Sequence, residues 1–174
     1  MNYQSITYPD FNNGLGCRVT LWVSGCPHHC VGCHNPETWD YNGGSTFSED
    51  TKNKLIDILK LPYIKGLTIS GGEPLCEQNI SKVSKIVEEI KIRFPEKDIW
   101  IYTGYDINNL IQTSEYKDFL HLQIVLENVD FIVDGRYIEK LRDITLPFRG
   151  SSNQTIYQVL HNKCGAFKLK KYSN

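Results

Sequence analysis

The chain has 174 residues, a length that predicts one domain with a sizeable hydrophobic core. Its composition, 40% hydrophobic and 22% charged, is that of an ordinary globular protein, and no apolar run approaches the length of a membrane span. The net charge of −1 argues against nucleic acid or an anionic membrane as a partner. The N-terminus lacks the regions of a signal peptide, so the six cysteines are expected to be reduced thiols in a cytoplasm.

Strand and helix patterns alternate along the chain. Residues 17–24 predict the first strand, because they are rich in β-branched and aromatic residues and lie between Gly16 and Gly25. Ser48 predicts the start of a helix, since this capping serine precedes two acidic residues. The later predicted elements are a strand at 66–70, a helix with the apolar stripe Ile80, Val83, Val87 and Ile90, a strand at 98–103, a helix at about 107–123, and strands at 129–133 and 154–160.

This alternation predicts an α/β fold of parallel βαβ units with right-handed crossovers. In such sheets ligands bind beyond the carboxyl ends of the strands, and each unusual loop of this chain directly follows a predicted strand. The loops are therefore expected to meet at one edge of the sheet. The units are too few for a closed eight-fold barrel, so we expect an open, partial (β/α) barrel with parallel strands. We assign residues 1–160 to this single domain and residues 161–174 to a short C-terminal tail.

Three cysteines, Cys26, Cys30 and Cys33, follow the first predicted strand with the spacing C-x3-C-x2-C. Three thiolates this close together can hold one metal centre and leave one coordination position open. A structural zinc site usually has four protein ligands and no open position. Iron–sulfur clusters are held by cysteine thiolates, and a cubane cluster bound by three cysteines keeps one iron free for a substrate. The spacing therefore favours a cubane 4Fe-4S cluster with an open iron.

Two other interpretations of the cysteines stay open. A zinc ion could take a histidine as its fourth ligand, and an electron-transfer cluster could take a fourth cysteine that folds inward. Zinc ribbons usually pair two C-x2-C knuckles, and this sequence has no second knuckle. His28 and His29 are expected to face solvent or to lie behind the ligands. The candidate fourth ligands are His28, His29 and His34 for zinc, and Cys17 and Cys76 for a fully ligated cluster; otherwise Cys17, Cys76 and Cys164 are expected to be buried or incidental thiols.

A second unusual loop, Ser70-Gly71-Gly72-Glu73-Pro74, follows the predicted strand at 66–70. Two glycines without Cβ atoms let the backbone approach a ligand closely. Backbone amides and carbonyls there can meet the ammonium group of an amino acid, and Glu73 adds a carboxylate. Alone, this segment also fits an ordinary strand-to-helix turn.

Together, the cysteine motif and the Gly-Gly-Glu-Pro loop resemble those of the radical S-adenosylmethionine (SAM) enzymes. Within that superfamily the chain is similar to the activating proteins of anaerobic (class III) ribonucleotide reductases. The segments that carry this second resemblance are 13–18, 23–33, 35, 38–39, 67–75, 98–105, 133–136 and 148–154. The last two discriminate best, because the cysteines are shared across the superfamily.

The resemblance implies an open partial barrel of the radical SAM type. It implies a 4Fe-4S cluster with three cysteine ligands and a SAM molecule whose amino and carboxylate groups chelate the free iron. One electron from the cluster would cleave SAM to methionine and a 5′-deoxyadenosyl radical. That radical would remove an α-hydrogen from a glycine of the reductase large subunit. A low-potential electron donor such as a flavodoxin is implied as a further partner.

The resemblance also implies which residues form the site. The metal ligands would be Cys26, Cys30 and Cys33; the cofactor contacts Gly32, Cys33, His34, Asn35, Ser70, Gly71, Gly72 and Glu73; and the partner or substrate cleft Asp134, Arg136, Arg149, Ser151, Asn153 and Gln154. Gly32 stands where many radical SAM enzymes have an aromatic residue. The cleft residues fit ordinary polar turns almost as well. Alternative functions are activation of another glycyl-radical enzyme of the pyruvate formate-lyase type, electron transfer through an iron–sulfur cluster, and zinc binding.

Overall fold

The computed structural model describes residues 1–113, 118–162 and 166–172. These residues contain eight strands and four α-helices. The strands are β1 (Asn2–Asp10), β2 (Arg18–Val23), β3 (Ser45–Thr46), β4 (Gly66–Gly71), β5 (Asp98–Tyr102), β6 (Phe131–Asp134), β7 (Thr155–His161) and β8 (Phe167–Lys171). The helices are α1 (Glu49–Leu59), α2 (Glu77–Arg93), α3 (Ile107–Gln112) and α4 (Phe119–Asn128). None of these helices is long and apolar enough to span a membrane.

The strands form one mixed sheet in the order β3-β1-β2-β4-β5-β6-β7-β8. Its centre is parallel, since β2, β4, β5 and β6 all run in the same direction. Its two margins are antiparallel, with β1 and β3 on one side and β7 and β8 on the other. The expected α/β class and an open sheet that contains parallel strands are confirmed. The expected parallel strands form the centre of the sheet, and the four marginal strands pair antiparallel with their neighbours.

Two further differences concern the C-terminal half. The single helix predicted at 107–123 is two helices: α3 ends at Gln112, and the β-branched Thr113 after it has an extended backbone with ψ of 100°. The helix α4 then begins at Phe119, beyond residues 114–117, which lie outside the described part. The boundary placed at residue 160 stays a prediction. Beyond it, β8 pairs with β7 in the same sheet.

The helix-facing side of the sheet holds the main hydrophobic core. The capping serine predicted for α1 is confirmed, because Ser48 Oγ accepts a hydrogen bond from the Thr51 amide. The apolar stripe predicted for α2 is buried throughout. Core residues from the strands and from these two helices include Leu21, Leu67, Ile69, Ile99, Ile101, Leu55, Leu59, Ile80, Val83, Val87 and Ile90. Burial of this face fixes α1 and α2 against the parallel strands and so determines where the following loops emerge.

The opposite side of the sheet contains a fully buried arginine, Arg18. Its Nε donates to Thr68 Oγ1 at 2.7 Å, and its guanidinium forms an ion pair with Asp98. The same group also donates to the Leu67 carbonyl at 2.7 Å and lies 5.5 Å from the centre of the Trp100 ring. One side chain therefore connects β2, β4 and β5 on the side away from the helices.

Replacing Arg18 by methionine should keep much of the packing but leave the Asp98 carboxylate without its cation. Removing one partner of a buried ion pair is strongly destabilising. We expect the free energy of unfolding, measured by urea denaturation, to fall by about 3 kcal/mol or more. The matched control is Lys60→Met in the exposed Lys60–Asp57 pair, which should change stability by less than about 1 kcal/mol. Equal stabilities for the two variants would contradict this role of Arg18.

Candidate metal and cofactor site

A cavity of about 430 Å³ lies at the carboxyl ends of the central strands, lined by the loops that follow β2, β4, β5 and β6. Its volume falls in the range usual for small-molecule sites. Predicted site residues that line it are Cys26, Cys30, Cys33, His34, Asn35, Ser70, Gly71, Gly72, Glu73, Arg149 and Gln154. Predicted residues that do not line it are Gly32, Asp134, Arg136, Ser151 and Asn153. The structure thus brings both sequence motifs to one cavity.

The three cysteines are free thiols, and all three line this cavity. Cys26 is buried, and this burial raises the pKa of its thiol, while the amide of His28 acts in the opposite direction. Burial also raises the pKa of Cys30, and nearby Cys33 adds to that effect. The Asn35 amide donates to Cys33 Sγ at 3.4 Å. A metal or cluster takes thiolates, so its binding here would release protons.

No group of three His, Cys, Asp or Glu side chains within the described ranges is arranged to hold a single metal ion.

The carboxylate of Glu73 is fully buried, and each of its two oxygens has two hydrogen-bonding partners. Oε1 accepts from the Leu75 amide at 2.9 Å and from Thr103 Oγ1 at 2.8 Å. Oε2 accepts from the Gly104 amide at 2.7 Å and pairs with His28 Nε2 at 2.8 Å. One side chain therefore joins the loops that follow β2, β4 and β5. These contacts occupy the carboxylate, so a cofactor ammonium would bind to other groups that line the cavity.

His28 lines the cavity together with the cysteines, and its side chain is 3% exposed. Its ring packs edge-on against Tyr105, with 4.5 Å between ring centres. A Cβ atom at Gly104 would collide with the ring, so the Thr103-Gly104 turn requires glycine for this contact. His29 has a positive φ of 46° and stacks on Trp39 at 4.9 Å. Both histidines therefore help to fix the backbone between Cys26 and Cys30.

The double glycine serves a contact between two loops. A Cβ atom at Gly72 would collide with the Gly25 backbone, and one at Gly71 would lie 2.8 Å from the Val23 carbonyl oxygen. The Gly72 amide donates to that carbonyl at 2.8 Å, and the Glu73 amide donates to the Gly25 carbonyl at 2.7 Å. The loops after β2 and β4 thus pack backbone to backbone. The sequence interpretation explained the two glycines by the close approach of a ligand. The structure adds a second reason, which is the close packing of these two loops.

Buried Asn79 also joins these two loops, and sequence reasoning missed it. Its Nδ2 donates to the carbonyls of Ser24 at 2.9 Å and of Glu73 at 3.0 Å. A lone asparagine in a helix carries no signal that could have identified this role.

Most of the predicted cleft residues stabilise the loop between β6 and β7. Gln154 Oε1 accepts from the Gly150 amide, and its Nε2 donates to the Gly135 carbonyl at 2.9 Å. Buried Ser151 accepts from the Ile138 amide. Asn153 donates to the Arg136 carbonyl. Asp134 accepts from the Ile107 amide, and burial raises the pKa of its carboxyl group.

Arg149 lines the cavity and donates from Nη1 to the Gln154 carbonyl at 3.3 Å, but its buried Nε has no partner within the described part of the chain. Lining residues that sequence reasoning did not assign to the site include Asn12, Asn13, Trp22, Trp39, Tyr102, Thr103, Gly104, Gly135, Tyr137, Leu146 and Phe148.

Comparison with known proteins agrees with an iron–sulfur site. A family model described as a 4Fe-4S single cluster domain matches residues 12–157. The chain is 44% identical over 157 residues to the anaerobic ribonucleoside-triphosphate reductase-activating protein of Enterobacteria phage T4, covering 90% of this chain and 94% of the relative. It is 38% identical to the protein of that name from Escherichia coli K12 over 161 residues (91% and 99% covered), and 39% identical to that from Vibrio cholerae over 160 residues (91% and 98%).

The chain is therefore a 4Fe-4S cluster domain protein. It belongs to the family of anaerobic ribonucleoside-triphosphate reductase-activating proteins.

Replacing Glu73 by glutamine tests the carboxylate contacts. Whichever way the amide turns, its NH2 group faces a backbone N–H, that of Leu75 or that of Gly104, so one carboxylate hydrogen bond is replaced by two donors that face each other. A buried donor without an acceptor costs about 1–3 kcal/mol, and we expect a loss of that size in urea denaturation of the protein without cofactor. Exposed Glu88 on α2 provides the matched control, and Glu88→Gln should change stability by less than about 0.5 kcal/mol. A Glu73→Gln protein as stable as the control would show that these contacts do not matter.

Proposed function

We propose that this protein is a radical SAM activase that generates a glycyl radical on the large subunit of the anaerobic ribonucleotide reductase. The observation that carries the proposal is the convergence of Cys26, Cys30 and Cys33 with the Gly-Gly-Glu-Pro loop on one cavity. Its relatives are named as activating proteins of that reductase, which supports this partner. The open sheet with four parallel central strands is consistent with a radical SAM partial barrel.

The residues at the cavity fit the two cofactors. Thiolates are the ligands of iron–sulfur clusters, and all three cysteines line the cavity. The cavity has room for a small-molecule ligand and combines aromatic with polar side chains, as ligand sites commonly do. When both are bound, a reduced 4Fe-4S cluster held by the three cysteines would supply one electron to the sulfonium of SAM, and cleavage of a C–S bond would give methionine and a 5′-deoxyadenosyl radical.

The roles of the protein's own residues follow from their contacts. Ser70 and Gly71 would face the methionine part of SAM through their backbone, because the Glu73 side chain is already occupied. Arg149 would bind the SAM carboxylate, since it is a cation at the cavity whose Nε lacks a partner within the described part. Asn35 would add a polar contact. Gly32, predicted as a cofactor contact, lies outside the lining, and a Cβ atom there would collide with Glu139 instead.

The remaining steps involve partners. A low-potential donor such as a flavodoxin would supply the electron, in the cytoplasm where the reductase works. The 5′-deoxyadenosyl radical would take one α-hydrogen from the reductase glycine, giving 5′-deoxyadenosine and a glycyl radical. Activation of another glycyl-radical enzyme is the alternative, and the names of the relatives favour the reductase.

Alanine variants of single cysteines test the open-iron cluster. Cys26→Ala, Cys30→Ala and Cys33→Ala should each abolish the cluster spectrum of protein reconstituted without oxygen. Cys76→Ala should keep it, because Cys76 is buried and does not line the cavity that the other three cysteines share. Cys17→Ala is a second control, and Cys164, for which the same retention is predicted, lies outside the described residues. Loss of the cluster in Cys76→Ala would mean four cysteine ligands and no open iron.

Electron paramagnetic resonance (EPR) tests the activity itself. The protein, SAM, a reductant and the reductase should together give a doublet from the remaining α-hydrogen of a glycyl radical. The doublet should collapse to a singlet when the reductase glycines carry α-deuterium. SAM cleavage that is equally fast without the reductase, with no partner radical, would contradict the proposal. A radical on pyruvate formate-lyase but not on the reductase would show that the reductase is not the partner.

A further inference from the structure

Five exposed apolar side chains lie in segments that line or directly adjoin the cavity, and we call them the apolar rim: Phe11, Val31, Ile138, Leu141 and Ile144. They are five of the eleven large apolar side chains that are exposed in the described residues. Single exposed apolar residues are normal on a protein surface, but a group beside a cavity marks an interaction site. Val31 and Ile144 are the most exposed of the eleven, at 82% and 85%.

The chain itself places these residues at the mouth. Phe11 directly precedes the lining residue Asn12, and Val31 lies between the lining residues Cys30 and Cys33. The other three belong to the segment 138–144, which connects two lining residues, Tyr137 and Leu146.

The cysteine loop and this segment also touch. His34 and Tyr137 rings lie 4.8 Å apart, and the space beside Gly32 is filled by Glu139. Val31 therefore lies next to the turn that carries Ile138 and Leu141. Phe11 lies in the loop between β1 and β2, directly before the lining residues Asn12 and Asn13.

We infer that the apolar rim binds an apolar segment of the reductase polypeptide that flanks the reacting glycine. This inference rests on the proposed function and specifies how its partner is recognised. A glycine has no side chain to be recognised by, so the affinity must come from its neighbours along the chain. To bring a backbone α-hydrogen into the cavity, those neighbours must cross the mouth, where the apolar rim lies. Burial of apolar side chains on both sides supplies non-directional affinity that does not require a charged partner.

Aspartate variants test the rim with equal changes of charge. Ile144→Asp and Phe11→Asp place a carboxylate on two different sides of the mouth. The matched control is Ile92→Asp: Ile92 is 75% exposed and lies on α2, none of whose residues lines the cavity. Each variant, with its cluster, is measured for its Kd for the purified reductase and for SAM, for its oligomeric state and for the glycyl radical formed per reductase.

We expect the two rim variants to raise the Kd for the reductase by about tenfold or more, whereas Ile92→Asp matches the unmodified protein. Radical yield should fall at low concentration and recover when the variant is added in excess, because only binding is weakened. Unchanged reductase affinity in both rim variants, while the unmodified protein still forms the radical, would overturn the inference. A primary loss of SAM affinity, or a change in self-association in place of reductase binding, would overturn it as well. Failure of the proposed function has a different signature: the unmodified protein itself then forms no radical on the reductase.

Discussion

Four hydrogen bonds converge on the buried carboxylate of Glu73 and connect the loops after three parallel strands. A buried carboxylate is costly unless its charge is compensated by hydrogen bonds, so these loops must adopt the conformation that supplies the donors. The cysteine loop is connected to Glu73 by the hydrogen bond of His28, and the turn after β5 is connected by those of Thr103 and Gly104. The shape of the cavity depends on this one side chain.

This arrangement separates two roles within the Gly-Gly-Glu-Pro loop. The Glu73 side chain and the absence of Cβ atoms at the two glycines hold the loops after β2 and β4 together. Contacts to a ligand are left to groups that face the cavity. A reaction that releases a reactive radical gains from such a rigid site, because the reacting atoms must be held within a narrow range of distances. Loss of activity on replacing Glu73 would thus report the position of the loops rather than a lost contact to SAM.

Sequence reasoning succeeded where a pattern is local. The stripe on α2, the Ser48 cap and the loops at strand ends could be predicted because periodicity and spacing express them directly. The marginal strands β1 and β8 could not, since nearly all of their residues are exposed or only partly buried and give no buried face to detect. The contacts of Arg18 and Asn79 could not be predicted either, because partners 50 or more residues away meet only in the folded sheet.

The central claim is that a hydrogen atom passes from a reductase glycine to the 5′-deoxyadenosyl group within this cavity. Its most direct test is mass spectrometry of the 5′-deoxyadenosine formed in one turnover with reductase whose glycines carry two α-deuterium atoms. The account predicts one deuterium in each 5′-deoxyadenosine that accompanies a glycyl radical. Unlabelled 5′-deoxyadenosine, formed in step with the radical, would contradict direct abstraction.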